Sequence, residues 1–187
     1  MKHEEELIAI LKKNTTLWAI LEKAPSFGLK NYYIGAGVIS QTVWNAQNDF
    51  PLLQGISDVD FVYFDPDLSY EKEDYYIHLI QKEFALMPLG IDIKNEARVH
   101  LWYKSHFGYD IKPYESVEEA IASWPTTATA VGVRLEDGKP IIYAPFGLDD
   151  LFDEVIRPNK IAVKESVYRA KCEKWKAKWP SLTIIPW

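Results

Sequence analysis

The sequence predicts an α+β (α/β) fold, a small mixed β-sheet with helices packed mainly on one face. Three observations lead to this expectation. Segments with strand character alternate with segments of helical periodicity through the first half, a hairpin pattern follows, and hydrophobic residues make up 48% of the chain. The alternation favours α/β units and the hairpin adds antiparallel strands, so the sheet should be mixed. The 187 residues fit one domain.

In the first third of the chain, two helices flank a short strand. Apolar residues recur at helical spacing over 4–23, and Pro25 and Gly28 end that pattern. The run 31–34 is predicted as a strand. Apolar residues at positions 38, 39, 43 and 44 then predict a helix that continues to about residue 47.

The middle of the chain repeats the pattern. Residues 59–64 form an aromatic and β-branched run typical of a buried strand, and Ser69 to Leu86 has helical character. A third strand is predicted at 90–94. Asn95, a favoured N-cap residue, should open a helix that runs to about residue 105.

The last third adds a hairpin and further helices. Ser116 and Glu119 form a capping-box pattern for a helix to about residue 123. The turn 136–139 should join two strands into a hairpin. The predicted elements in this part are strands at 131–135 and 140–143 and helices at 147–152 and 164–178. The predicted organisation is a single domain with an N-terminal helix (1–28), a core (29–110) and a C-terminal hairpin with helices (111–187).

Two carboxylates mark the start of the second strand. Asp58 and Asp60 lie two positions apart, and residues two apart on a strand share a face. Adjacent like charges repel unless a cation neutralises them, and hard oxygen ligands suit Mg²⁺ or Mn²⁺. The alternative is that both residues bond local backbone, as aspartates before strands commonly do.

A glycine-containing turn follows the first strand. Gly35 and Gly37 precede the predicted helix, whose free N–H groups could hold a phosphate, and Ser40 is a further candidate contact. The glycines would let the backbone approach the ligand closely. An ordinary strand-to-helix turn is the alternative.

A third carboxylate lies on the third strand. Asp92 stands between two isoleucines, where an unpaired charge is costly. It is either a third metal ligand or the partner of Lys94, which would share its face. Arg98 follows and either clamps a phosphate or pairs with an acid such as Glu96.

Several stretches of the chain resemble a known family. They are Tyr33–Ile39 with Val43–Asn45, Asp58–Asp65, Lys94–Tyr103, Ala128–Arg134 and Ala144–Phe152. Together they resemble a bacterial group of nucleotidyltransferase-family proteins within the DNA polymerase β-like nucleotidyltransferase superfamily. The sequence departs from the usual pattern in the turn Gly35-Ala36-Gly37 and in the long connection to Asp58, which implies an inserted loop around 48–56.

The resemblance implies a nucleotidyltransferase-like fold and a reaction. The chain is expected to move a nucleoside monophosphate from an NTP to a hydroxyl acceptor that the sequence does not identify. It implies Asp58, Asp60 and Asp92 as the catalytic acids that hold Mg²⁺ or Mn²⁺. It places Gly35, Gly37, Ser40 and Arg98 near the nucleotide. A catalytically silent nucleotide-binding module and an interaction protein with structural acids are the alternatives.

Composition further narrows the classes of binding partner and the expected location of the protein. The formal net charge of −6 argues against general nucleic-acid binding, which uses many lysine and arginine contacts to phosphate. A single cysteine precludes an intramolecular disulfide. The acidic start of the chain does not look like a signal peptide, and no apolar run is long enough to span a membrane. We therefore expect a cytoplasmic location and no membrane partner.

Overall fold

The computed structural model describes residues Met1 to Trp187 and confirms the predicted fold class. Eight α-helices accompany a mixed five-stranded sheet. The helices are α1 (Glu4–Lys13), α2 (Thr15–Lys23), α3 (Gly37–Gln47), α4 (Tyr70–Glu83), α5 (Val99–Phe107), α6 (Val117–Ala122), α7 (Asp149–Phe152) and α8 (Glu165–Lys178). The strands of the main sheet are β1 (Tyr32–Gly35), β2 (Asp58–Tyr63), β3 (Gly90–Asn95), β4 (Gly132–Glu136) and β5 (Lys139–Tyr143).

The strand order of the main sheet is β3-β2-β1-β4-β5. β2 and β3 are parallel, whereas β1 pairs antiparallel with both β2 and β4, and β4 with β5. The parallel pair arises because α4 connects β2 to β3, as a crossover must. A second, parallel pair consists of β6 (Val155–Ile156) and β7 (Thr183–Ile184). It was not predicted, because two-residue strands carry no periodic pattern.

The predicted helix over 4–23 is in fact two helices, which is a correction. Asn14 separates α1 from α2: its Oδ1 accepts from the backbone N–H of Leu17 at 3.1 Å, and its Nδ2 donates to Thr42 Oγ1 at 3.0 Å. Apolar periodicity continues across the break, so the pattern alone could not show it. The side chain acts as an N-cap for α2 and is almost fully buried.

Two predicted caps are confirmed. Asn95 Oδ1 accepts from the backbone N–H of Ala97 at 3.2 Å, although the first turn after it (Glu96–Arg98) is a 3₁₀-helix. Ser116 Oγ accepts from the backbone N–H of Glu119 at 3.0 Å and opens α6.

The two faces of the main sheet are covered differently. On one face, the large hydrophobic core gathers the inward residues of β1 to β4 with α1 to α4. On the other face, α6 covers only a small cluster of four buried residues, Tyr33, Val62, Val117 and Ile121. The rest of this second face borders a cleft. No helix is both long and apolar enough to cross a membrane.

Candidate active site

The cleft on the second face of the sheet has a volume of about 350 Å³. Its walls come from the start of α3, the cleft side of β2 and β3, α5, the segments that flank α6, and α8. The segment 48–56, where the sequence implied an inserted loop, contributes Gly55 to the cleft, and Ser57 follows it there. The loop is held by Asn45, whose Nδ2 donates to the carbonyls of Leu52 and Gln54 at 3.1 and 2.9 Å.

Asp58 and Asp60 both line this cleft, as their spacing on β2 predicts. Asp58 is exposed and accepts a hydrogen bond from Ser57 Oγ at 3.0 Å. The Asp60 side chain is 30% exposed. Burial raises the pKa of Asp60 to about 6; Lys94 opposes this shift, while the negative charges of Asp92 and Asp58 add to it. Asp60 therefore gains from a neighbouring positive charge.

Asp92 pairs directly with Asp60 in the register of the parallel strands β2 and β3. The ammonium of Lys94 contacts Asp92 and lies 3.9 Å from Asp60 Oδ1. Burial disfavours the charge on Lys94, but the hydrogen bond to Asp92 and the charge of Asp60 outweigh it and raise its pKa. The ion pair with Lys94 is the alternative that the sequence left open.

The carboxylates fit a divalent cation only in part. Asp58 and Asp60 lie on the same face of β2 at the cleft, and their negative charges repel each other. Carboxylate oxygens in such a pair are suitable ligands for Mg²⁺ or Mn²⁺. No group of three or more His, Cys, Asp or Glu side chains in the chain is arranged to hold a metal ion. Asp92 could join a metal site only if the Lys94 ammonium moved away from it.

In the turn between β1 and α3, the strained backbone conformation is at Ala36 and not at either glycine. Ala36 has φ 55° and ψ −130°, a conformation that a residue with a Cβ rarely adopts. Gly35 is required by packing, since a Cβ there would lie 2.7 Å from the Trp124 ring and 2.9 Å from the carbonyl of Val131. Gly37 opens α3 and lines the cleft, so the helix N-terminus faces it.

Ser40 and Arg98 lie outside the cleft lining, as do Asp92 and Gly35. Ser40 is fully buried, and its hydroxyl donates to the carbonyls of Ala36 and Ala128, both at 3.2 Å. Arg98 forms an ion pair with Glu73, and its Nε donates to the carbonyl of Leu68 at 3.0 Å. Arg98 therefore pairs with an acid, but with Glu73 instead of Glu96. Both side chains are engaged in contacts within the protein, and their roles at a nucleotide stay predictions.

The sequence analysis missed three lysines on α8. Lys171, Lys174 and Lys178 recur at helical spacing, and all three line the cleft that contains Asp58 and Asp60. None of them forms a salt bridge. Burial lowers the pKa of Lys171, partly offset by the charge of Asp60. Their spacing was a visible signal, but only the fold brings α8 to the acids. These lysines with Asp58, Asp60 and Lys94 are called the charged half of the cleft.

A second group of lining residues was also missed. It consists of the aromatic side chains of α5 and of the segments flanking α6, together with the buried carboxyl of Glu96. This aromatic half comprises Trp102, Tyr103, Phe107, Tyr114, Trp124 and Glu96. Burial raises the pKa of Glu96 to about 8; Lys94 opposes the shift, and Asp60 and Asp92 add to it.

Comparison with known proteins identifies the family to which this chain belongs. The family model described as Nucleotidyltransferase matches residues 22–184, so the chain belongs to this nucleotidyltransferase family. A solved NMR structure, described as revealing a CCA-adding enzyme head domain, is similar to the chain with a TM-score of 0.82 and 26% identity. That similarity covers 100% of this chain and 98% of the other. The search of curated proteins found no significant match.

Proposed function

We propose that this protein transfers a nucleoside monophosphate from an NTP to the hydroxyl group of an acceptor, with a divalent cation at Asp58 and Asp60. One observation supports this most directly. An acid pair on β2 and three lysines on α8 that form no salt bridge line one cleft at the N-terminus of α3, although Lys178 also donates to the carbonyl of Gly55 at 2.8 Å. A nucleoside triphosphate with its cation carries both the negative charge that lysines attract and the positive charge that carboxylates attract.

The charged half of the cleft suits the donor nucleotide. Lys171, Lys174 and Lys178 would attract the triphosphate, and the free N–H groups at the start of α3 would donate to its oxygens. When bound, Mg²⁺ or Mn²⁺ would be held by Asp58 and Asp60, with Asp92 as a third ligand, and would neutralise charge on the phosphates. Lys94 would then have to leave Asp92 and become free to contact a phosphate.

The chemical step needs no nucleophile from the protein. It needs the acceptor oxygen to approach the α-phosphorus in line with the leaving pyrophosphate. The acceptor oxygen forms a bond to the α-phosphorus, and the bond from that phosphorus to the leaving pyrophosphate breaks. Asp92, opposite Asp60 in the strand register, would accept the hydroxyl proton. Positioning by the cleft and charge neutralisation by the lysines would supply most of the rate enhancement.

Calorimetric titration with each NTP, with and without Mg²⁺, tests the donor site. Wild-type protein should bind at least one NTP in a metal-dependent way, and Asp58→Asn/Asp60→Asn should lose that dependence. A control is Asp65→Asn/Asp67→Asn, which removes the same charge from two acids outside the cleft lining. If no NTP binds to the folded wild type, the proposal fails, and a role as an interaction protein becomes the better hypothesis.

The similar NMR structure raises RNA as an acceptor, because that protein is described as a CCA-adding enzyme head domain. The net charge of −6 does not favour this acceptor. Incubation with labelled NTP and a pool of tRNA separates the two cases. Label transferred to RNA would identify an RNA end as acceptor, whereas transfer only to small molecules would exclude it.

A further inference from the structure

The side chain of Glu96 is the least explained group in the cleft. Glu96 is only 4% exposed and lines the cavity, yet its carboxyl forms no hydrogen bond and no salt bridge. Its oxygens are not fully enclosed, so they open to the cleft, where only cleft water solvates a carboxyl that the protein leaves without a partner. Such a group in a cleft indicates that the missing partner is a ligand.

The aromatic side chains around Glu96 restrict what that partner can be. Five aromatic side chains line the same cavity: Trp102, Tyr103, Phe107, Tyr114 and Trp124. Tyr103 and Phe107 pack together with ring centroids 4.5 Å apart, and Tyr114 shares a hydrogen bond with Ser123 at 2.7 Å. These packed rings form a preformed apolar wall. Flat or cyclic apolar bodies stack on such rings, and cations are attracted to their faces.

The two halves of the cleft differ in charge. The lysines of α8 lie on the side of Asp58 and Asp60, and the charges of both carboxylates act to raise the pKa of Lys171. Glu96 directly follows β3; the charge of Asp60 raises the pKa of Glu96, and the charge of Glu96 raises that of Tyr114, so Glu96 is near both side chains. The lysines would attract a triphosphate, whereas Glu96 offers it no positive charge and, once ionised above pH 8, would repel it. The donor phosphates and the ligand of Glu96 therefore occupy different halves.

We propose that the aromatic half binds the acceptor, and that the acceptor is a small molecule whose positively charged amine, received by Glu96, is attached to a flat or cyclic apolar body. Calling this ligand the acceptor rests on the proposed function. The chemical class of the ligand follows from Glu96 and the rings alone. A hydroxyl elsewhere on the same molecule would reach the α-phosphate beside Asp60. A nucleobase in the aromatic half is the competing occupant.

Three probes of similar size and different charge test the inference. Tyramine carries the amine, 4-propylphenol is neutral, and 3-(4-hydroxyphenyl)propionate carries a carboxylate. Each is titrated calorimetrically into wild type, Glu96→Gln, Glu96→Met and the control Glu118→Gln, with and without ATP and Mg²⁺. Glu118 is a carboxylate on α6 outside the cleft lining, where it accepts from Tyr33.

Measured above pH 8, where Glu96 loses its proton and the tyramine amine keeps its charge, the expected result is a preference for tyramine over 4-propylphenol of roughly tenfold or more, as for a charge-assisted hydrogen bond. The propionate should bind most weakly. Glu96→Gln and Glu96→Met should remove the preference without weakening ATP binding, and Glu118→Gln should keep it. Two substitutions at the same position keep the test valid if one of them fails to fold.

Other outcomes would overturn the inference. Equal binding of the three probes to wild type, or a tyramine preference that survives both Glu96 substitutions, would contradict the role of Glu96. A change in the order of NTP affinities on Glu96→Gln would assign the aromatic half to the base of the donor. If tyramine binds through Glu96 but no NTP binds, the proposed function fails while the ligand class stands.

Discussion

The two faces of β2 differ in role: one packs in the hydrophobic core and the other lines the cleft. Val59, Phe61 and Tyr63 belong to the large hydrophobic core, and all are buried to 1% exposure or less. Asp58 and Asp60 alternate with them and line the cleft on the opposite face. Since successive residues on a strand point to opposite faces, one six-residue strand supplies both stability and charge. Substitutions one position apart should therefore separate loss of activity from loss of fold.

The largest effect is expected on the cleft face. Asp60→Asn keeps the shape of the side chain but removes the charge that the proposed cation needs. We expect nucleotidyl transfer to fall by about 10³-fold, roughly 4 kcal/mol of transition-state stabilisation, as pyrophosphate release would show. The melting temperature should not fall, because the raised pKa of Asp60 shows that its charge is disfavoured in the folded state. An Asp60→Asn variant with full activity would contradict the comparison.

The core face should respond in the opposite way. Phe61 is fully buried and stacks with Tyr32, with ring centroids 5.2 Å apart. Phe61→Ala should lower the free energy of unfolding by about 3–5 kcal/mol, measured by urea denaturation. At a temperature where the variant remains folded, its transfer activity should stay close to that of wild type. A large loss of activity in the folded variant would mean that the two faces are coupled.

Glu96 extends the comparison to the end of β3 and predicts a pH dependence of stability. Its folded pKa of about 8 lies above the ordinary value of 4.5, so the folded state keeps a proton that the unfolded state releases. Its contribution to stability is full below pH 4.5 and is lost as the pH rises toward 8. Lys94, Asp60, Asp92 and Tyr114 are the charged or titratable groups coupled to it.

Relative to wild type, Glu96→Gln should therefore become progressively more stable from pH 5 to pH 8, by on the order of 2 kcal/mol at the upper end. Urea denaturation of both proteins at several pH values measures this difference. A constant difference across the range would show that Glu96 has an ordinary pKa.

The smallest effect is expected from single lysines across the cleft. Lys171→Met and Lys174→Met should each weaken NTP binding by roughly tenfold, because each removes one charged contact to phosphate. Arg169→Met is the matched control, since Arg169 lies on the same helix outside this cleft and pairs with Glu165. Calorimetry with an NTP and Mg²⁺ measures the dissociation constants. Equal weakening by all three substitutions would point to a general charge effect.

Much of the fold could be predicted from the sequence, for local reasons. The strands β1 to β3 lie close to their predicted ranges, and Asn95 and Ser116 cap helices as expected. The break at Asn14 and the pair β6–β7 could not be predicted, because they depend on a contact with Thr42 and on pairing between distant segments. Local patterns record local backbone preferences and not long-range partners.

The sequence by itself determined that Asp58 and Asp60 share a face of a buried strand, because the alternation of a strand needs no other information. Only the tertiary structure decided what surrounds them. It brought Lys171 and its neighbours on α8 to the acids, turned Arg98 toward Glu73, and left Glu96 buried without a partner. The physical reason is that charge pairing and burial depend on which distant segments meet in space, and that is fixed by the packing of the whole chain.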